Sequence, residues 1–120
     1  MDVIIGGVYQ GKLKYAKTRF GVRTADVFFC GSAPVLDRNK RCIYGFERYL
    51  RACAQSGVPP QTEFPAETVL ICEDIFCGIV PTDDADRRWR ELAGRTLTAL
   101  AAKADSVTRI FCGLPQQLKP

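Results

Sequence analysis

Histidine is absent from the 120 residues, and with it every imidazole base, acid, nucleophile or metal ligand. The six cysteines, at 30, 42, 53, 72, 77 and 112, include no C-x-x-C pair. A tetrahedral zinc site would therefore need four scattered thiolates. Reduced cysteines packed as small hydrophobes are the expected use, and Cys30, Cys72 and Cys112 each close an apolar run that reads as a strand. Long hydrophobic runs are also missing. Val3-Ile4-Ile5, after Met1-Asp2, is too short for a signal-peptide core, and no segment approaches the roughly 20 residues of a membrane span. No dense Lys/Arg tract accompanies the net charge of +4. That argues against nucleic acid and fits either a phosphate-bearing ligand or a solvated basic surface. A soluble, cytoplasmic protein is expected.

What is present is an ordinary globular composition, 47% hydrophobic and 25% charged, which excludes long disorder and predicts one compact domain over residues 1–120. Val3–Ile5, Asp26–Cys30, Thr68–Cys72 and Val107–Cys112 read as strands. Between them, Lys12–Phe20 reads as a helix stopped by Gly21, and the spacing of Ile43, Phe46, Leu50 and Cys53 predicts another within Asp37–Ser56, stopped by Gly57 and Pro59-Pro60. Thr82-Asp83-Asp84 combines a capping residue with acids suited to a helix start. The long helix that follows carries Trp89, Leu92, Ala93, Thr96, Leu97, Leu100 and Ala104 on one face. Gln61–Glu67 reads as a surface loop and Gly113–Pro120 as a short tail. This alternation predicts an α/β, P-loop NTPase-like domain of three layers, with a small, mostly parallel sheet of about four strands and helices on both faces. Ligands in such a sheet bind at the carboxyl ends of the strands.

Two segments directly follow strands. Gly6-Gly7-Val8-Tyr9-Gln10-Gly11-Lys12 satisfies the phosphate-loop pattern G-x-x-x-x-G-K, whose glycines let backbone N–H groups turn around an anion and whose lysine reaches the outer phosphates. Leu13 stands where the pattern wants the Ser or Thr that holds Mg²⁺. An ordinary glycine-rich turn is the alternative, but the strand-to-helix setting favours phosphate. Glu73-Asp74 ends the strongest strand, where a carboxylate could hold Mg²⁺ or orient a hydroxyl. Adjacent residues of a strand point to opposite sides, so one acid at most faces the loop. Arg87, Arg88 and Arg90, with Arg95 beyond, are expected to pair with neighbouring acids on a solvated face.

The strings from Cys72 to Lys119, namely Cys-Glu-Asp-Ile-Phe-Cys-Gly-Ile-Val-Pro, Arg-Arg-Trp-Arg-Glu-Leu-Ala-Gly-Arg and Ala-Asp-Ser-Val-Thr-Arg-Ile-Phe-Cys-Gly-Leu-Pro, resemble the adenosylcobinamide kinase / adenosylcobinamide-phosphate guanylyltransferase family. The opening Gly-Gly-x-x-x-Gly-Lys resembles that family's phosphate loop as well. By this resemblance Gly6, Gly7, Gly11 and Lys12 match the loop, Asp74 stands where the family carries Glu, and Gly78, Ile79, Val80 and Pro81 match the rest of that string. The resemblance implies a nucleoside triphosphate (ATP or GTP), Mg²⁺, a corrinoid substrate and frequently an oligomer. Leu13, Phe76 in place of a glycine, a missing Asp-Cys-Leu type strand and the missing histidine depart from it. The family's guanylyl transfer passes through a nucleotide on histidine, a route closed to a chain without one.

Two functions fit. One is phosphoryl transfer to the aminopropanol hydroxyl of a cobinamide, with Lys12 and the loop amides stabilising charge and Asp74 or Glu73 holding Mg²⁺. The other is a degenerate module that binds nucleotide, corrinoid or a partner subunit. A phosphate-loop domain recruited to unrelated chemistry is a weaker third.

Overall fold

The computed structural model describes residues 1–37, 39–76 and 83–120. The order is β1 (Asp2–Gly6), α1 (Lys12–Phe20), a 3₁₀ turn (Thr24–Asp26), β2 (Val27–Phe29), β3 (Cys42–Tyr44), α2 (Phe46–Ser56), β4 (Val69–Glu73), α3 (Asp84–Lys103), β5 (Ser106–Phe111) and β6 (Leu114–Lys119). One sheet holds the six strands in the order β2-β3-β4-β1-β5-β6. All neighbours run parallel except the antiparallel β5–β6 pair.

The continuous apolar run of β4 follows from its place in the middle. Val69 and Ile71 pack with Ile4 and Ala16 on the α1 face, whereas Leu70 and Cys72 pack with Phe46, Leu50, Ala93 and Leu100 under α2 and α3. A strand covered on both faces has no position left for a polar residue. The three-layer expectation is met.

Its strand count is not, because there are six strands rather than about four. The two extra ones fall where other patterns were read. Cys42–Tyr44 was expected inside a helix, yet it is a strand between β2 and β4. Ile43 is fully buried in the sheet, and its three-residue spacing from Phe46 mimics a helical period by coincidence. Gly45, at φ 78°, makes the turn that separates strand from helix.

The expected tail is the second extra strand. Cys112 and Gly113 both take positive φ (53° and 75°), a two-residue hairpin turn that lays Leu114–Lys119 against β5. Proline at 115 and an exposed, polar strand suit its edge position. Cys112 is thereby exposed, a correction to the expectation of a core cysteine, while Cys30, Cys42, Cys53 and Cys72 are buried. At α3 the cap is Asp83, whose side chain accepts from the Ala85 amide at 2.7 Å. Thr82 lies outside the described residues, as do Cys77 and Gly78-Ile79-Val80-Pro81. Among the described residues no helix is long and apolar enough to cross a membrane.

Candidate nucleotide site at the carboxyl edge of the sheet

From β1 the chain passes through α1 to β2 at one edge, and from β4 it passes through α3 to β5 on the other side of β1. The two helices cover opposite faces. Their divergence opens a crevice above the carboxyl ends of β1 and β4, and Gly6 and Glu73, in register there, close the two strands.

Gly6 has no room for a side chain: a Cβ would lie 2.6 Å from the Ile110 carbonyl oxygen on β5. After it the chain arches through Gly7 and Val8 to Tyr9, which takes φ 58° and is almost wholly exposed at the crown. Gln10 braces the far side. Its carbonyl accepts from the Gly113 amide at 3.1 Å and its side-chain oxygen accepts from the Cys112 amide. Gly11, at φ 92°, brings the chain into α1, whose N-terminus has neither a side-chain cap nor an acid in its first turn. Uncapped N–H groups at the positive end of a helix favour an anion.

Lys12 is buried. Its ammonium folds under the arch and donates to the Gly7 carbonyl at 2.6 Å. Leu13 does not face this space: half-buried, it packs with the core under α1.

The Lys12 side chain reaches a small chamber of about 50 Å³ that it shares with Tyr44, Glu47, Arg48 and Glu73. Of the two adjacent acids, Glu73 lines the chamber. Asp74 is not in its lining: its Oδ1 accepts from the Phe76 amide at 3.0 Å, and its own amide donates to Gly6 O at 2.8 Å. Phe76 lies clear of the chamber too, packed against Gly94 of α3, where a Cβ would stand 3.8 Å from its ring. Arg90 donates to the Phe76 carbonyl, so one member of the arginine cluster anchors the strand-four loop rather than only facing solvent.

Glu47 is the carboxylate that sequence reasoning missed. Only 4% exposed, it uses Oε1 to accept from the Glu73 amide at 2.8 Å, where the β4 ladder has run out of partners. Its carbonyl accepts from Trp89 Nε1 at 2.9 Å, and its Oε2 stands 3.7 Å from Arg48 Nε. The signal that could have found it is an acid two residues past a glycine that ends a strand. Within the helix expected over Asp37–Ser56 it received no role.

The electrostatics agree with one shared chamber. Burial raises the Cys72 thiol well above its ordinary value; the Glu47 carboxylate raises it further, the Lys12 ammonium opposes, and the Asp74 carboxylate adds to the rise. Burial likewise pushes Cys30 up to about 12, with Glu47 adding to the effect. Two positive side chains (Lys12, Arg48) and two carboxylates (Glu47, Glu73) balance around the chamber. An entering polyphosphate would leave it negative, which is where a hard divalent cation binds, using few carboxylates together with phosphate oxygens and water. Among the described residues no group of three or more carboxylates or thiols could hold a metal unaided. The residues fit a cation that arrives with phosphate.

A family model for cobinamide kinase / cobinamide phosphate guanyltransferase matches residues 46–118, more than half of the chain. The chain belongs to this family. Over 55 residues it is 38% identical to the bifunctional adenosylcobalamin biosynthesis protein CobU of Salmonella typhimurium, covering 46% of this chain and 30% of the relative. The corresponding protein of Escherichia coli is 33% identical over 73 residues, 61% of this chain and 40% of the relative. The chain thus spans less than half the length of the curated relatives it matches. The matched stretch contains Glu47, Glu73 and Asp74 and starts after the Gly6–Lys12 arch, whose assignment stands on its own geometry.

Proposed function

We propose that this member of the cobinamide kinase family binds ATP or GTP with its phosphates on Gly6, Gly7, Val8, Tyr9, Gln10, Gly11 and Lys12, and transfers the terminal phosphoryl group to the hydroxyl of a cobinamide. The observation that carries this reading is the buried Lys12 ammonium, held beneath a glycine arch in one chamber with two carboxylates. Lys12 and the α1 amides stabilise charge on the transferring group. The acceptor oxygen bonds to phosphorus as the bond to the departing diphosphate breaks, and a chamber carboxylate, Glu73 or Glu47, takes the hydroxyl proton. Asp74 acts from behind by fixing the turn after β4. Whichever of Glu73 and Glu47 does not take the proton would hold a Mg²⁺ ion brought in by the nucleotide, which would supply further positive charge at the phosphates. Histidine-dependent guanylyl transfer is not part of this reading, since the chain has no histidine.

Leu13 favours a second reading, a catalytically degenerate module that binds nucleotide, corrinoid or a partner subunit. Its side chain is committed to the core, and nothing at that position replaces the hydroxyl. Calorimetry with ATP and GTP, with and without Mg²⁺, separates the two. The kinase reading expects magnesium-dependent binding that Lys12→Ala weakens about tenfold to a hundredfold, the worth of one or two charge-assisted hydrogen bonds. Binding indifferent to magnesium supports the module, and absence of binding overturns both nucleotide readings. Incubation with cobinamide and either triphosphate then tests turnover.

A further inference from the structure

The parallel ladder between β3 and β4 ends where the Gly45 amide donates to the Ile71 carbonyl at 3.1 Å. Past that point the two chamber carboxylates stand on separate elements, Glu47 in the first turn of α2 and Glu73 at the last position of β4. One direct bond joins them, from the Glu73 amide to Glu47 Oε1 at 2.8 Å. A single hydrogen bond sets one distance and leaves both backbones room to move around it.

Two consecutive residues of α3 supply the remaining hold. Trp89 Nε1 donates to the Glu47 carbonyl at 2.9 Å, and Arg90 Nη2 donates to the Phe76 carbonyl, in the loop that leaves β4. Neighbouring side chains on a helix diverge by about 100°, so one short stretch of α3 reaches two elements at once. The Phe76 amide in turn donates to Asp74 Oδ1 at 3.0 Å, which carries the hold back to the residue beside Glu73. The bonds close a circuit through Glu47, Glu73, Asp74, Phe76, Arg90 and Trp89. Neither α3 donor lines the chamber. The Trp89 ring packs against the core, with the Arg51 guanidinium 4.9 Å from its centroid, and the Phe76 ring lies beside Gly94, one turn past Arg90. An indole N–H that enters the interior needs an acceptor; this one finds it on the residue that carries the buried carboxylate.

From this circuit we infer that Trp89 and Arg90 are positioning residues, which set the spacing of Glu47 and Glu73 around the nucleotide chamber. For what the two carboxylates then do, proton uptake and cation binding, the inference rests on the kinase reading. For the positioning it rests on the hydrogen bonds alone. Such chemistry demands placement within about 0.5 Å. Carboxylates supplied by different elements keep that placement only if something outside the chamber ties the elements together, and α3 is the tie.

Trp89→Phe keeps a ring and removes the N–H, while Arg90→Gln removes the guanidinium and shortens the reach. Amide hydrogen exchange followed by NMR, without any ligand, reads the positioning directly. In each variant the Glu73 amide should exchange about tenfold faster, the scale of one hydrogen bond, while the Leu70 and Ile71 amides keep their rates. General destabilisation would quicken all three together. Steady-state kinetics with cobinamide, ATP and Mg²⁺ read the consequence. There kcat should fall about tenfold with KM for ATP within about twofold, since Lys12 and the loop amides are untouched. Arg90→Lys, which keeps a donor for the Phe76 carbonyl, should recover most of both losses. An unchanged Glu73 exchange rate in both variants overturns the assignment. So does acceleration shared by the whole strand, or faster Glu73 exchange with kcat intact. If Trp89→Phe fails to fold, Arg90→Gln decides alone. Faster exchange confined to Glu73, in a protein whose unaltered form phosphorylates no cobinamide, keeps the circuit and sinks the kinase reading instead.

Discussion

The loop after β1 and the corner between β3 and α2 face each other across one chamber, and they are built on opposite principles. The loop is a local object: glycines that permit a tight arch, one lysine, and a helix start, all within seven consecutive residues. The corner is a tertiary object. Glu47 has its position only because β3 inserts between β2 and β4, Gly45 turns the chain, and the Glu73 amide and Trp89 indole come to it from elsewhere. Phosphate recognition can be spelled in a short string, whereas the carboxylates that complement it arrive by folding.

Substitutions can break that contrast from either side. The largest effect is expected at Gly6→Ala, where a Cβ would meet the Ile110 carbonyl at 2.6 Å. Backbone cannot yield as a side-chain tip can, so chemical denaturation should show a loss of about 3 kcal/mol. Unchanged stability would mean that β1 and β5 can separate at this point.

On the corner side, Glu47→Leu strands the Glu73 amide and should cost about 2 kcal/mol, the penalty of one unsatisfied buried donor. Glu47→Gln keeps an acceptor for that amide and should stay close to wild-type stability while losing magnesium dependence in nucleotide calorimetry. If both variants behave alike in denaturation, the charge and not the hydrogen bond is what the fold uses.

Leu13→Thr tests the loop's departure from pattern. Withdrawing a half-buried leucine from the α1 core should cost about 1 kcal/mol. Because the side chain at 13 points into that core and not toward the phosphates, the hydroxyl gained should leave the magnesium dependence of nucleotide binding unchanged, read by repeating the calorimetry with and without the metal.

The smallest change leaves stability alone. Iodoacetamide at pH 8 should label Cys112, exposed in the hairpin turn, and spare Cys30 and Cys42. Burial lifts both of these thiols from an ordinary 9.0 to about 12, so each remains protonated and enclosed through that pH. Peptide mapping by mass spectrometry reads the outcome, and rapid native labelling of Cys30 would show that the β2 edge opens.

How much of this was legible in the sequence follows the same division. Thr68–Cys72 announced a central strand because burial on both faces leaves an unbroken apolar run, and the Gly6–Lys12 pattern announced its own turn. Cys42–Tyr44 stayed hidden because three residues are too few to show alternation, and Ile43 lent itself to the period of the neighbouring helix. The edge strand β6 carries two glutamines and a proline, nothing that periodicity would detect; a Cys-Gly pair made its turn where Asn-Gly or Asp-Gly would have signalled one. Between Glu73 and Asp74 the sequence left the choice open. Which of two neighbouring acids turns inward depends on strand register, and a string of letters does not carry register.

The contact between Gln10 and the Cys112-Gly113 turn has a thermodynamic side. An arch pinned at its shoulder before any ligand arrives has less conformational entropy to surrender on binding. The turn that supplies the pin also passes beside Gly11, whose Cβ would stand 3.7 Å from Gly113 Cα. Shortening the chain after Phe111 would leave every phosphate-facing group in place and yet weaken binding, by restoring to the empty loop the freedom that the hairpin now removes.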